Sequence, residues 1–216
     1  MSGPELHIHT IVSEPFQEST FVVSTQGRDD VLVIDPGLDP DRIVAYLRRN
    51  RFVVAAILIT HAHADHIAGN AALKAEYPGA VLVIGERESA LLSDPEANLS
   101  APFGFPITSP PADRLVVEGD VLEYAGIRLD VLDVPGHSPG HVVYLHRGDP
   151  PLLFAGDVLF QRSIGRTDFP GSNGPLLLAG IRGKLFPLAA ETVVYPGHGP
   201  LTTIGEERLL NPFLRE

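Results

Sequence analysis

The sequence has no cysteine among its 216 residues. That absence excludes a disulfide framework, a cysteine-ligated zinc site and a thiolate nucleophile. Basic residues are not in excess either: 16 Lys and Arg stand against 27 Asp and Glu, for a formal net charge of −11. Nucleic acid is therefore not expected as the main partner. No apolar run approaches the roughly 18 residues that a bilayer span needs. The first ten residues lack the basic start and apolar stretch of a secretory leader, so the expectation is a cytoplasmic protein with no membrane partner. There is no linker and no low-complexity tract. The length suits one core, and one domain over residues 1–216 is expected. No heptad or isolated apolar stripe speaks to oligomeric state.

What is abundant is turn-forming sequence. Glycine and proline number 21 and 20, about a fifth of the chain, which points to many short elements rather than a helical bundle. Periodicity predicts strands over 6–12, 20–24, 30–35, 53–60, 80–84, 115–117, 127–134, 141–146, 152–155 and 192–195. Helices are expected from Pro40, from Asp65 to the Pro78-Gly79 stop, briefly over 86–92, and over 175–185. Their alternation makes the class α/β or α+β in layers. Residues 94–113 show no period. A loop of that length is functional or is packed on the surface by Phe103 and Phe105.

The chemistry concentrates in Thr60-His61-Ala62-His63-Ala64-Asp65-His66, which holds four metal-competent side chains. A strand would send His66 to the opposite face from the other three, and a helix would part His63 from His61 and Asp65. A turn between a strand and a helix can converge all four. Three later segments repeat one pattern, an aliphatic strand, a glycine turn and a ligand-type residue: His137 after Pro135-Gly136, Asp157 after Gly156, and His198 after Pro196-Gly197. Ligands just past strand ends can meet along one edge of a sheet. Five histidines and two aspartates suffice for two divalent ions with a shared carboxylate, zinc first, with iron or manganese as alternatives.

The other histidines and one aspartate have plainer readings. His7 and His9 share a face of the first strand, and His146 sits at a strand end. His141 is either a partner of the ligands or a hydrogen-bonded structural residue. Asp35 either orients a ligand histidine or bonds the amides of its own turn, with the second favoured.

The motifs THAHADH, VPGHSPGH, FAGDVLF and YPGHGP, in that order along nearly the whole chain, resemble the metallo-β-lactamase superfamily. The resemblance implies a four-layer αββα sandwich. It also implies that His61, His63 and His137 hold one metal, Asp65, His66 and His198 the other, and that Asp157 bridges them. Within the superfamily, GDVLFQRSIGRTDFPG and the HGPLTTIGEERLLNPF ending look most like the compact glyoxalase II-type hydrolases. The partner expected on that ground is a small-molecule thioester such as S-lactoylglutathione, with Asp65 and Asp157 positioning the attacking water. A basic residue at Arg166 is implied to meet the glutathione part. Arg162 and Arg166 are thus substrate-binding candidates, with a surface ion pair to Asp168 as the rival reading for Arg166. The resemblance does not extend to the C-terminal helical region that supplies further glutathione contacts in full-length glyoxalase II enzymes, so it implies the metal site but not glutathione specificity. A persulfide dioxygenase also resembles this chain, in THxHADH and in Gly165–Phe169, and would use one iron on His61, His137 and Asp157. A secreted β-lactamase is disfavoured by the absence of a leader, and a nuclease by the acidic balance.

Overall fold

The computed structural model describes residues 5–215. Six strands form the first sheet in chain order: β1 (Leu6–Ser13), β2 (Glu18–Thr25), β3 (Asp30–Ile34), β4 (Val53–Ile59), β5 (Val81–Gly85) and β6 (Arg114–Val116). The first three pair antiparallel, and the pairings from β3 to β6 are parallel. The second half supplies β7 (Val121–Tyr124), β8 (Ile127–Asp133), β9 (Val142–His146) and β10 (Leu152–Gly156). A two-residue hairpin follows, β11 (Leu159–Phe160) with β12 (Ser163–Ile164), then β13 (Val193–Pro196) and β14 (Thr202–Thr203). The second sheet runs β14-β13-β10-β9-β8-β7.

Helices cover the outer faces. Helix α1 (Pro40–Asn50), α2 (Ala64–Ile67) and α3 (Asn70–Glu76) lie on the first sheet, and α4 (Gly174–Gly180) and α5 (Ile204–Leu210) on the second. The two-residue period of a strand divides the core into three layers. Val31 and Val33 of β3, with Ile57 and Ile59 of β4, pack against Ile43 and Leu47 of α1. Their neighbours Leu32, Ile34, Ala56 and Leu58 face Leu129, Val131, Tyr144 and Phe154 of the other sheet. Val143, Leu153 and Val194 bury Leu177 of α4 and Ile204 of α5. The result is αββα. Burial on both faces explains why VLVI and AAILI read as continuous aliphatic runs.

Several expected boundaries shift. The helix expected from Asp65 to Pro78 is split into α2 and α3, because Gly69 N–H donates to Pro36 O at 2.8 Å and so leaves the helical ladder. Strand β7 was not expected. It pairs with β8 through Ala125-Gly126, both with positive φ (51° and 71°), the two-residue turn that suits a hairpin's twist. Helix α5 was also missed, although Thr203 caps it by accepting from Glu206 N at 3.2 Å. Helix α4 is shorter than the expected 175–185 segment and continues as a wider turn over Ile181–Leu185. No helix among the described residues is long and apolar enough to cross a membrane.

Candidate metal centre

The ligand-type residues lie where chain segments leave their strands on one edge of the sandwich. His61 and His63 follow β4, and Asp65 and His66 lie in α2, the first turn after them. His137 follows β8, Asp157 follows β10 and His198 follows β13. Two glycines let the backbone approach. Gly156 has φ +47°, and a Cβ there would stand 2.8 Å from His141 Nε2 and closer still to Thr60 Oγ1. A Cβ on Gly197 would meet Asp157 Oδ1 and lie 2.7 Å from His66 Cε1. Any side chain at either position would displace the carboxylate or an imidazole.

All seven predicted ligands meet here. Atoms of His61, His63 and His137 lie within 4.8 Å of one another, as do those of His61, His66 and Asp157, and those of Asp65, His66 and His198. His63 turns Nδ1 toward His137 Nε2, 2.9 Å away. Asp157 reaches both halves, with Oδ1 3.4 Å from His66 Nε2 and Oδ2 3.5 Å from His137 Nε2. Asp65 Oδ2 is 3.3 Å from His198 Nε2.

The second nitrogen of each Nε2-presenting histidine is held from behind. His137 Nδ1 donates to Arg166 O at 2.8 Å and His198 Nδ1 to Phe16 O at 3.0 Å. His61 Nδ1 donates to Thr60 Oγ1 at 3.1 Å, and that hydroxyl donates to Asp35 Oδ2 at 2.7 Å. The same Asp35 oxygen takes the Nδ1 proton of His66 at 3.1 Å. Such contacts fix the tautomer that presents a bare Nε2 lone pair. Asp35 therefore orients ligand histidines. The preference for turn amides is corrected: Gly37 N–H donates to Thr20 Oγ1 instead. His141 stacks on His61 with ring centroids 4.6 Å apart, and its Nε2 accepts from Asp157 N at 3.1 Å. It holds the Asp157 backbone and joins none of the three candidate ligand groups.

Glu88 was not anticipated. Its buried carboxylate accepts from Ala62 N at 2.9 Å, Ser138 Oγ at 2.7 Å and Gly140 N at 2.6 Å. It thereby ties the His61–His66 segment to the His137–His141 loop. Nothing local in GERESALL marks it, because its partners lie 26 to 52 positions away.

Burial, and then the surrounding imidazoles, hold His61 well below the ordinary histidine value and bring His63 to about 3. His66 is also buried, but the carboxylates of Asp65 and Asp157 outweigh burial and raise it. Burial would raise Asp65 and Asp157, yet His66 and His198 pull both down. His61 and His63 are thus held neutral, while Asp65 and Asp157 are held ionised beside His66. The buried Nε2 atoms of His61 and His66 and Oδ1 of Asp157 have no hydrogen-bond partner among the described residues. Leaving such atoms unpaired is costly. Nitrogen and carboxylate lone pairs converging on shared space fit divalent ions, and the orphaned atoms are the ones that would bind them.

A cavity of about 260 Å³ opens above the cluster, lined by ligand residues together with Phe16, Leu99, Phe103, Phe160, Phe169 and Arg166. Arg166 pairs with Asp168 through two contacts of 2.9 and 2.8 Å, and its guanidinium lies 4.3 Å from the Phe169 ring. Both readings of Arg166 thus have a counterpart in the geometry. Arg162 is placed away from the cavity. Its guanidinium pairs with the buried Glu207, which also accepts from Arg162 N at 2.8 Å.

A family model for the metallo-β-lactamase superfamily matches residues 13–198. The chain is 34% identical over 212 residues to the hydroxyacylglutathione hydrolase GloC of Haemophilus influenzae, covering 97% of this chain and 98% of that one. Among solved structures, it matches the BLEG-1 B3 metallo-β-lactamase with a TM-score of 0.92 and 40% identity, over 97% of this chain and 100% of the other. It matches TTHA1623 in a di-iron-bound form with a TM-score of 0.84 and 36% identity, over 95% and 100%. With its αββα layers and the ligand edge already described, the chain belongs to the metallo-β-lactamase superfamily.

Proposed function

We propose that the chain is a two-metal hydrolase of the glyoxalase II type, acting on S-acylglutathione-like thioesters such as S-lactoylglutathione. The observation that carries this reading is the complete ligand set. His61, His63 and His137 would hold one ion, Asp65, His66 and His198 the second, and Asp157 would lie between them, as its two oxygens 3.4 and 3.5 Å from histidines of opposite halves suit. Bound divalent ions, zinc on this reading, would bring the pKa of water toward about 7 and polarise a carbonyl oxygen. Asp65 lines the cavity and can accept a hydrogen bond from a water there, orienting it. Asp35 keeps His61 and His66 in the tautomer that leaves Nε2 free. Phe16, Phe103 and Phe169 give the cavity apolar walls beside the cluster. No strong general acid is needed, because a thiol of pKa about 8.5 leaves as thiolate. Similarity to GloC supports the substrate class.

Similarity to BLEG-1 favours a second reading, hydrolysis of a β-lactam amide at the same centre. Assaying S-lactoylglutathione and penicillin side by side separates the two. We expect thioester turnover, and Asp157→Ala should lower kcat/KM by at least about 10²-fold. Turnover of penicillin alone would overturn the thioesterase reading.

A further inference from the structure

One wall of the cavity is unusual in its backbone. Within the 94–113 loop, Asn98 and Ser100 are buried and bonded to their surroundings. Asn98 O accepts from Ala64 N at 2.9 Å, in the segment that carries the ligands. Asn98 Nδ2 donates to Ile107 O at 2.9 Å, Ser100 Oγ donates to Asn98 Oδ1 at 2.6 Å, and Ile107 N donates to Ser100 Oγ at 2.9 Å. Between these two anchors sits Leu99, with φ +68°. A leucine pays for that left-handed conformation, whereas glycine would adopt it without steric cost. What leucine adds at this position is its side chain, and that side chain lines the cavity over the ligand cluster. A strained residue over-determined by its neighbours, with its side chain at a site, is a mark of function.

The rest of this wall is equally apolar. Phe16 and Phe103 meet edge to face with centroids 5.2 Å apart, and Phe103 stays 54% exposed at the rim. Arg166, the only Arg or Lys among the described residues of the lining, is already paired with Asp168. The wall formed by Phe16, Leu99 and Phe103 carries no charged side chain, so it suits the apolar part of an acyl group rather than the charged ends of glutathione. An apolar group finds a surface of leucine and phenylalanine that is otherwise in contact with water.

We propose that Leu99 is a specificity-determining residue, and that the wall it forms with Phe16 and Phe103 binds an alkyl or aryl arm carried next to the reacting carbonyl. This rests on the reading above that the cavity is where substrate reacts. Among thioester substrates, those with a larger apolar acyl group are accordingly expected to bind more tightly than S-lactoylglutathione, which is still turned over.

The test is calorimetric titration of the metal-loaded protein with acetate, hexanoate and benzoate, with S-lactoylglutathione turnover measured in parallel. We expect hexanoate or benzoate to bind at least about 10-fold more tightly than acetate, the discrimination that apolar contacts of this size supply. Leu99→Gly should collapse that ratio to within about 3-fold, a residual of well under one order of magnitude. Phe103→Ala, at a rim position where folding is not at stake, should lower it as well. A wild-type ratio near one, or a ratio unchanged in both variants, would overturn the proposal. If the ratio behaves as expected but no thioester turns over, the wall stands and the thioesterase reading falls. If thioester turns over but the ratio is near one, the thioesterase reading stands and the wall falls.

Discussion

Asp35 and Glu18 are two buried carboxyl groups beside the same ligand histidines, and they do opposite things. Asp35 ends β3 at φ +47°, a conformation aspartate tolerates. From there it accepts from Thr60 N, Thr60 Oγ1 and His66 Nδ1, so both of its oxygens are paired. Glu18 is fully buried, its Oε1 has no partner among the described residues, and burial pushes its carboxyl well above the ordinary 4.5. A carboxyl that keeps its proton in the fold, but sheds it in the unfolded chain above about 4.5, costs the fold stability as pH rises from there toward the raised value. Glu18→Gln has no proton to lose. In chelator-treated protein, the unfolding midpoint of the variant relative to wild type should therefore climb as pH rises from 4.5 to 8. A pH-independent difference would show that Glu18 is ionised in the fold. At this scale the sequence was legible only where chemistry is dense. Seven ligands stood out because three lie in one hexapeptide with a carboxylate and three follow glycine turns. Asp35 could not be assigned from DVLVIDPG, because its partners are 25 and 31 positions away and only the parallel pairing of β3 with β4 brings them near.

The elements around the site are short, and side chains rather than regular backbone lock the loops between them. Glu88 is the clearest case, with three donors from two loops converging on one carboxylate. Replacing it with alanine would leave those donors without partners in a buried place, each at a cost of about 1–3 kcal/mol. Glu88→Ala should therefore lose about 3 kcal/mol or more in urea unfolding, with the histidine loops the first to lose amide-exchange protection. A loss under about 1 kcal/mol would mean water replaces the carboxylate without penalty. The strands buried on both faces, β3, β4 and β10, announced themselves as aliphatic runs. The elements that were missed are set by tertiary pairing. β11, β12 and β14 are two residues each, too short for any period. α2 and α3 read as one helix because the Gly69 bond to Pro36 O is made across the fold. The 94–113 loop looked aperiodic because Asn98 and Ser100, not hydrophobic spacing, organise it.

Across the whole molecule, the αββα layers deliver one strand end after another to a single edge. The two sheets are joined there directly, by Ser19 N–H donating to Gly197 O at 2.8 Å and Val142 N–H donating to Thr60 O at 3.0 Å. Ligands from both halves of the chain are thus fixed relative to one another before any ion arrives. That layering was legible from strand and helix alternation together with the motif resemblance. Which metal and which acyl group occupy the site was not, because zinc and iron use the same donors. The central claim is a centre built for two ions that hydrolyses thioesters, and metal analysis of the purified protein, run alongside S-lactoylglutathione hydrolysis before and after chelation, tests it most directly. Two divalent ions per chain, with turnover lost on chelation and regained on adding metal back, is the predicted result. A single iron per chain, with oxygen consumed on glutathione persulfide and no thioester cleaved, would contradict it.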